Sequence, residues 1–533
     1  MTANIQDEHG KNLSPFGLWS AVSLGWLTLN AFGALSFILF VGLSAGGLPS
    51  ILYGYIGSGL AVTCLILTLA QCAARYSTAG GAYHYSCFLI PPQYRRQISY
   101  PLGWINYLGW ILTHAACCAI VATSTLGLVN LCHPGFAVTT RWHLFLVYLG
   151  VAGVCWLLNL RGLRSIPTLE LLGCYVTIAA FIAYTVLLLV KAPKASARSV
   201  FVETDNQTGY SSTSFAIFLG LFTSFSTLIS LEGPCHIAEE IPTPKRFVPR
   251  ILLIVILSQL VVGVVWIIVL GFSITNVEAV MYSPTGIPVL ELIRLATSSD
   301  GAAMAFAITL MVNNGTSALG SAVAMSRQGY AFARDGGLFW NSKLIERSSA
   351  TKIPMWSINL PSFVVVLIGL IYLFSDAAFN AIIGAQAVCM IISLAFPALT
   401  LLFTRERLLP TSRHWSLGVF SVPMYLISVG YALLVVVVAM IPQKHPITVG
   451  SMNHTVTVIG AITIAMTLAW VFEGRKSYSP PLNPEEYALP VGTMVLEGGS
   501  PVEEIDQDEG HQHGSDVKGA AKNVQQEVGI VVG

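Results

Sequence analysis

The chain has 533 residues, of which 54% are hydrophobic and only 10% are charged, and its mean hydropathy is +0.70. Soluble domains carry about 25% charged residues, so this composition excludes most soluble architectures. Ten cysteines without a CxxC pair indicate neither a disulfide framework nor a metal site. No nucleophile–base pair or basic, aromatic-rich surface suggests catalysis or nucleic-acid binding. The sequence predicts a non-enzymatic membrane protein that needs no cofactor.

Apolar runs long enough to cross a ~30 Å hydrocarbon core, roughly 20 residues each, occur twelve times. Because twelve is an even number, both termini are expected on the same side of the membrane. The runs predict an all-α integral membrane protein with spans at residues 16–43, 48–74, 102–131, 143–160, 165–190, 215–237, 250–274, 301–325, 356–374, 378–402, 416–441 and 455–474.

Lysine and arginine indicate which side of the membrane holds the termini. If the N-terminus is cytoplasmic, 21 of the 27 basic residues fall in cytoplasmic segments, which matches the usual excess of basic residues in cytoplasmic loops. Two N-glycosylation sequons, at Asn206 and Asn453, then fall in outer loops. Both asparagines are predicted glycosylation sites, and both termini are predicted to be cytoplasmic.

The charges also separate a membrane-spanning body from two tails. Residues 1–15 form a short N-terminal tail, residues 16–474 the twelve-helix domain, and residues 475–533 an acidic C-terminal tail. Ten of the 26 acidic residues lie in the last 55 positions, beside only two lysines. A segment of this composition cannot bury a core, so the tail is predicted to be disordered.

Two spans contain residues that interrupt a membrane helix. The first span carries Asn30 and Gly33 at its middle, and the sixth runs through Ser230 into Glu232 and Pro234. Irregular backbone at membrane depth survives only where protein or a cavity covers it. Matching interruptions in two halves of a chain point to a transporter binding site between inverted repeats. The repeats are placed at about 16–190 and 215–402, followed by extra helices at 416–441 and 455–474.

The chemistry of such a site follows from the free backbone groups of an interrupted helix. Amides near Ala31 to Ala34 are predicted to hold a carboxylate, and carbonyls near Ser226 to Ser230 an ammonium group. Glu232 is ionisable in mid-span, which costs roughly 2.5–3.5 kcal/mol, so a functional role is favoured over a structural salt bridge. Glu170 lies near the start of the fifth span and is expected to be less deep.

Other polar residues in the spans give weaker predictions. His114 is expected to be a core histidine with satisfied hydrogen bonds rather than a proton relay. Asn313 and Asn314 either line the cavity or join neighbouring helices, because polar residues do both. His236 is close to two acidic residues, Glu239 and Glu240, yet no second histidine follows at helical spacing, so a metal site is not expected.

Three sequence blocks carry a resemblance to a known family: STAGGAYHY at 77–85 with GWIN at 103–106, LEGPCHIAEEIPTPKRFVPR at 231–250, and SRQGYAFARDGGL at 326–338. In this order and at these topological positions, they make residues 15 to 475 resemble the amino acid–polyamine–organocation superfamily of secondary transporters. The resemblance is to the fungal branch of amino acid, GABA and choline permeases.

The resemblance implies a LeuT-like fold of five-plus-five inverted repeats with two extra helices, and proton-coupled, alternating-access uptake at the plasma membrane. Glu232 is the candidate for proton coupling. Glu239 and Glu240 match a pair at the cytoplasmic mouth and would form a gate with Arg75 or Arg334. The substrate-binding positions carried over from the family are Asn30, Ala31, Phe32, Gly33, Ala34, Thr227, Ile229, Ser230 and Leu231.

The chain departs from the family at three positions of the sixth span. Relatives usually have a tryptophan at the place of Ser226, a glycine at Ser230 and an aromatic residue at Leu231. The loss of aromatic side chains removes stacking partners for a quaternary ammonium group. The expected substrate is an amino acid or related small amine. The alternatives are choline or another quaternary amine, a specialised metabolite, or a nutrient sensor that does not transport.

Overall fold

The protein is described here as a computed structural model, which covers residues 16–133, 140–161, 165–281, 286–346, 354–412, 415–448 and 452–482. The predicted N-terminal tail, 1–15, and residues 483–533 of the predicted acidic tail lie outside these ranges. The described residues form α-helices, two short 3₁₀ helices at Ala238–Glu240 and Gly418–Phe420, and a π-helix at Trp470–Gly474. In chain order the α-helices are α1 Leu18–Leu29, α2 Ala31–Ser44, α3 Gly47–Ala73, α4 Gly81–Leu89, α5 Pro92–Cys132, α6 Arg141–Arg161, α7 Ile166–Lys191, α8 Ala197–Phe201, α9 Thr213–Ser226, α10 Gly233–His236, α11 Pro244–Ser273, α12 Val277–Met281, α13 Pro288–Thr297, α14 Asp300–Arg334, α15 Asn341–Ile345, α16 Met355–Phe374, α17 Asp376–Thr404, α18 Ser421–Met440, α19 Thr455–Ala469 and α20 Arg475–Ser477.

Ten helices in the described part of the chain are long and apolar enough to cross a membrane, counting α1 and α2 as one interrupted span. Two shorter apolar helices, Thr213–Ser226 and Met355–Ile371, occupy the places of the predicted sixth and ninth spans. The all-α, multi-pass architecture is therefore confirmed. The number of twelve spans and the inverted repeat stay predictions.

Close packing between the long helices depends on small residues. A side chain at Gly103 of α5 would overlap the ring of Phe332 on α14, and one at Gly329 of α14 would lie 2.7 Å from the ring of Tyr107 on α5. These glycines allow the backbones of the two longest helices to approach closely, as small residues do in membrane proteins. Together α5 and α14 form a rigid support beside the two interrupted spans.

The segment that follows the last long helix packs onto the body. Tyr478 is buried, and its hydroxyl donates to Ser99 Oγ at 2.8 Å and lies 2.9 Å from the hydroxyl of Tyr83. The backbone N–H of Ser479 donates to the carbonyl of Asp335 at 2.9 Å. Residues 475–482, which the sequence assigned to the disordered tail, are therefore part of the folded domain at least as far as Ser479.

Candidate functional site

The first interruption is a hinge at Asn30, between α1 and α2. Asn30 has a left-handed backbone conformation, with φ 53° and ψ 47°, and asparagine adopts this region more readily than most residues. Its side-chain oxygen accepts from the N–H of Gly33 at 3.1 Å, and its amide nitrogen donates to Asn314 Oδ1 on α14 at 2.8 Å. A side chain at Gly33 would overlap Asn313 Oδ1, so only glycine fits there.

Gln259 of α11 connects the two halves of this interrupted span. Its Oε1 accepts from the N–H of Ala31 at 3.2 Å, and its Nε2 donates to the carbonyl of Trp26 at 2.5 Å. The side chain is completely buried. One residue of another helix thus satisfies a backbone group on each side of the hinge, which the sequence analysis missed.

The hinge therefore leaves few amides for a substrate. The N–H of Ala31 is used by Gln259, that of Gly33 by the Asn30 side chain, and that of Ala34 by the Asn30 carbonyl at 2.9 Å. Within the described residues, Phe32 has the remaining amide without a protein acceptor. Of the four amides from Ala31 to Ala34 that were predicted to hold a carboxylate, only that of Phe32 is therefore available in this conformation.

Phe32 uses its side chain for packing. Its ring lies 4.8 Å from Trp266 and 5.9 Å from both Phe181 and Phe306, measured between centroids, and it is completely buried. These rings come from α7, α11 and α14. The ring of Phe32 is therefore used in packing, and only its backbone is available to the site.

The second interruption lies between α9 and α10 and packs against the first. Residues 227–232 leave the helical conformation, and Ile229, Ser230 and Leu231 are all buried. None of the hydrogen bonds in the described part of the chain uses their carbonyl oxygens. A side chain at Gly233 would come within 3.1 Å of Thr28 Oγ1. The structure thus brings α10 against α1 and supplies free carbonyls beside the hinge. The hydroxyl of Thr227 is already used, because it donates to the carbonyl of Ser224 at 2.8 Å.

Glu232 lies at the start of α10 with its carboxyl group completely buried. Trp110 Nε1 donates to its Oε1 at 3.1 Å, the Asn106 amide donates to the same oxygen, and the N–H of Ala82 donates to Oε2 at 3.3 Å. The amide of Asn106 also donates to Ser393 Oγ at 2.7 Å. Donors from α4 and α5 thus give both carboxyl oxygens the hydrogen-bond partners that a buried polar group requires.

His236, one helical turn after Glu232, completes this cluster. Its Nδ1 is 2.7 Å from the carbonyl of Ala79, which can only accept, so Nδ1 carries a hydrogen. Its Nε2 is 3.4 Å from Glu232 Oε1. The two side chains can therefore share one additional proton between Nε2 and Oε1. The sequence singles out His236 only as a possible metal ligand, and this pairing with Glu232 is not among the predictions made from it.

Two ion pairs lie on the side predicted to be cytoplasmic. Glu239 Oε1 is 3.3 Å from Arg334 and accepts from the N–H of Ala79 at 3.0 Å. Burial by itself would raise the pKa of Glu239, but the charge of Arg334 and these hydrogen bonds lower the pKa below its ordinary value. Glu240 Oε1 is 2.9 Å from Arg327 in a buried pair.

Arg75 does not join these glutamates. It donates to the carbonyls of Gln71 at 2.6 Å, Pro410 at 2.5 Å and Trp415 at 3.0 Å, because it lies just after the end of α3, beside the loop that precedes α18. The predicted gate with Arg75 is therefore corrected: Arg334 pairs with Glu239, and Arg327, which the sequence analysis did not consider, pairs with Glu240.

The polar span residues that gave weaker predictions from the sequence, His114 and Asn314, form hydrogen bonds within the protein. His114 Nδ1 is 2.9 Å from the carbonyl of Ala318, and Asn314 binds Asn30 as described.

The side chains of both sequon asparagines form hydrogen bonds with backbone carbonyls. Asn206 Nδ2 donates to the carbonyl of Tyr210 at 2.8 Å, and Asn453 Nδ2 donates to those of Ala439 and Ile441 at 2.7 and 3.0 Å. A glycan replaces one of the two hydrogens on this nitrogen, so a glycosylated Asn206 could keep its single bond, whereas a glycosylated Asn453 would lose one of its two.

The arrangement defines a class of protein. An all-α, multi-pass fold with two interrupted helices packed against each other, and free backbone groups at the interruptions, is the architecture of a secondary transporter. A family profile described as amino acid permease matches residues 16–462. The chain belongs to the amino acid permease family and is a membrane transporter rather than an enzyme, which confirms the resemblance drawn from the three sequence blocks.

Curated relatives differ in their named substrates. The chain is 28% identical to a choline transporter of Saccharomyces cerevisiae over 87% of its own length and 82% of the relative. It is 25% identical to a polyamine transporter of the same yeast, over 95% and 83% of the two chains. It is 25% identical to an amino-acid permease of Arabidopsis thaliana, over 83% and 88%. All three names describe small, nitrogen-containing cargo.

Proposed function

We propose that this protein is a proton-coupled transporter of an amino acid or related small amine, which binds between the two interrupted spans. The observation that carries the proposal is the adjacency of α1 and α10 beside a hinge and a stretch of free carbonyls. The carbonyls of Ile229, Ser230 and Leu231 supply partial negative charge for an ammonium group. The names of the relatives support an amine-bearing cargo.

A quaternary or other cationic amine without a carboxylate is a second candidate. Three of the four amides at the start of α2 are already used by Gln259 and Asn30, so the site has one free donor for a carboxylate. A cation requires only the carbonyl half of the site. The similarity to a choline transporter supports this candidate, and the absence of an aromatic residue at Ser226 weighs against it.

Proton coupling is assigned to Glu232 together with His236. The pair can exist as carboxylate and imidazolium, or as carboxylic acid and imidazole, and both forms contain one shared proton. Because Glu232 immediately precedes Gly233, which contacts α1, rearrangement of the two spans would alter the surroundings of the pair. The pairs Glu239–Arg334 and Glu240–Arg327 are proposed to close the cytoplasmic side in this conformation.

The first experiment identifies the cargo. A permease-deficient yeast host expressing the protein would be screened for uptake of radiolabelled choline, amino acids, GABA and polyamines in separate assays, with the unlabelled compounds as competitors. Competition by cationic amines and not by zwitterions favours the second candidate. Uptake that persists unchanged with a protonophore would contradict proton coupling, and no uptake or competition by any compound would contradict the transporter proposal.

The second experiment tests the coupling site with Glu232→Gln. Gln keeps the size of the side chain but cannot exchange a proton, so the variant is expected to reach the membrane and lose proton-driven accumulation. Glu278→Gln, at an exposed position of α12, is the matched control and is expected to behave as wild type. Fully coupled uptake by Glu232→Gln would refute the assignment.

A nutrient sensor on the same scaffold is distinguished by removing the C-terminal tail. We propose plasma-membrane localisation with both termini in the cytoplasm, so the tail would be available to signalling partners. The truncation must begin after Leu482, because Tyr478 and Ser479 are bonded to the body. A transporter keeps its uptake when residues 483–533 are removed, whereas a sensor loses its signal.

A further inference from the structure

The short helix α4 and the turn before it lie against the segment that carries Glu232. The N–H of Ala79 donates to Glu239 Oε1 at 3.0 Å, and the carbonyl of Ala79 is 2.7 Å from His236 Nδ1. The N–H of Ala82 donates to Glu232 Oε2 at 3.3 Å. This backbone therefore contacts the Glu232–His236 pair and a gate glutamate at once, and these bonds last only while α4 stays against α10.

The next two side chains of α4 contact Asp335, the residue that follows α14. The Tyr83 hydroxyl donates to Asp335 Oδ2 at 2.9 Å, and His84 Nε2 is 2.8 Å from the same oxygen. All three side chains are buried. Asp335 comes directly after Arg334, the ion-pair partner of Glu239. Two successive residues at the end of α14 thus carry a gate contact and the attachment of α4.

Residues 475–479, which we call the C-terminal strap, cover this attachment. The Tyr478 hydroxyl is 2.9 Å from that of Tyr83 and donates to Ser99 Oγ at 2.8 Å. The N–H of Ser479 donates to the carbonyl of Asp335 at 2.9 Å. Gly336 has a φ of 74°, and a side-chain carbon there would lie 2.3 Å from the carbonyl oxygen of Ser477. The end of α14 is therefore shaped to receive the strap.

Arg96 of α5 holds the strap from a second side. Its Nε donates to the carbonyl of Tyr478 at 3.0 Å, and its Nη2 donates to that of Arg475 at 2.6 Å. The guanidinium group lies 5.7 Å from the ring centroid of Trp470, within the range of a cation–π contact. The strap is thus fixed at Arg475 and at Tyr478, and the Tyr478 side chain cannot leave Tyr83 without loss of these contacts.

The strap, the end of α14 and α4 form one continuous set of contacts that ends at Glu232 and Glu239. Separation of α4 from α14 would break the bonds of Tyr83 to Asp335 and to Tyr478 together. A buried polar group that loses its partners is unfavourable, so these bonds oppose movement of α4. The position of α4 in turn decides whether its backbone reaches α10.

We propose that the C-terminal strap is part of the cytoplasmic gate, and that Tyr478 is a positioning residue that holds α4 against α10 and keeps this side closed. The inference rests on the proposed function, since it takes the protein to be a transporter whose cytoplasmic side opens and closes. It gives the end of the membrane domain a role in gating that residues 483–533 do not share.

The reaction of one buried cysteine with a membrane-permeant maleimide reports whether α4 leaves α10. Cys235 of α10 is completely buried and faces Tyr85 of α4, so its thiol is covered while the two helices stay together. Mass spectrometry of the labelled, full-length protein measures each cysteine separately. Cys389, which is buried in α17, is the internal control, because it becomes reactive only when the helical body loosens.

Tyr478→Phe keeps the ring and removes the hydroxyl that contacts Tyr83 and Ser99. The labelling rate of Cys235 is expected to rise about fivefold or more, because a buried hydroxyl loses its hydrogen bonds, while that of Cys389 stays unchanged. Tyr94→Phe, at an exposed position of α5, is the matched control and is expected to behave as wild type. Labelling of Cys235 at the wild-type rate in Tyr478→Phe, or equal increases at Cys235 and Cys389, would overturn the proposal.

Two truncations test the strap without a substitution. Removal of residues 477–533 takes away Tyr478 and Ser479, whereas removal of residues 483–533 leaves the strap in place. Only the longer truncation is expected to speed the labelling of Cys235, and equal rates in the two truncated proteins would contradict the proposal. The measurement needs no cargo. If no compound is transported, the proposed function fails, while the labelling rates still decide whether the strap holds α4.

Discussion

Gln259 offers the sharpest test of the hinge, because one side chain satisfies a backbone group on each side of it. Gln259→Leu removes the acceptor of the Ala31 N–H and the donor to the Trp26 carbonyl, which lie 3.2 and 2.5 Å from the amide. A buried backbone group that loses its partner costs about 1–3 kcal/mol. The Trp26 carbonyl still accepts from the N–H of Asn30 at 3.1 Å, so only the Ala31 N–H loses its partner, and the substitution is expected to destabilise the hinge conformation by about 1–3 kcal/mol.

The measurement is a denaturant titration of the purified protein in detergent, which compares the free energy of unfolding among three variants. Gln259→Glu keeps an acceptor for Ala31 but buries an ionisable carboxyl group against the Trp26 carbonyl, so its loss should be at least as large as that of Gln259→Leu. Ser258→Ala is the control, because that hydroxyl bonds only to carbonyls of its own helix, Ile254 at 2.7 Å and Val255 at 3.0 Å. If Gln259→Leu costs no more than Ser258→Ala, the bridging role is wrong.

Three further predictions concern the ends of the spans. Removal of both partners of the Glu239–Arg334 pair should reveal a coupling energy larger than the ~0.2–1 kcal/mol typical of exposed pairs in a double-mutant cycle, because the side chains are only 14% and 25% exposed. Since the pKa of Glu239 is lowered, this stabilisation should persist at neutral pH and vanish as pH falls through that lowered value, which a cycle repeated at acidic pH would measure. Truncation after Leu482 should leave the melting temperature unchanged, whereas Tyr478→Ala should lower it. Asn453→Ala should lower stability by about 1–3 kcal/mol for each carbonyl left without a donor, as measured by the same denaturant titration.

The sequence predicts the parts of the fold that depend on local composition. Apolar runs identify membrane helices because each must satisfy its own backbone in lipid. Asn30, and the run from Ser226 to Pro234, mark the interruptions for the same reason, since both weaken a helix within the hydrocarbon core. These local signals also led to the resemblance that the family match confirms.

Partners that come from distant helices could not be predicted in this way. Gln259 is a single amide in an apolar span, and no local pattern relates it to Ala31 or Trp26, which lie more than 200 residues earlier. The donors to Glu232 likewise come from α4 and α5. The pairing of Glu232 with His236 could be predicted from the sequence, because residues four apart share a helix face. It was missed because the acidic residues after His236 suggested a different chemistry.

The depth of Glu170 shows why position along a span is an incomplete guide to burial. The residue lies close to the start of α7, and a lone helix would allow its carboxyl group to reach the membrane surface. Here the carboxyl group is completely buried. Leu24 and Thr28 of α1 lie against Glu170, and the same two side chains lie against Gly320 of α14 and Gly233 of α10. The same packing that covers Glu170 connects it to the helix bearing Glu232. The burial of a side chain is therefore set by the helix that packs over it, and position along the span does not measure it.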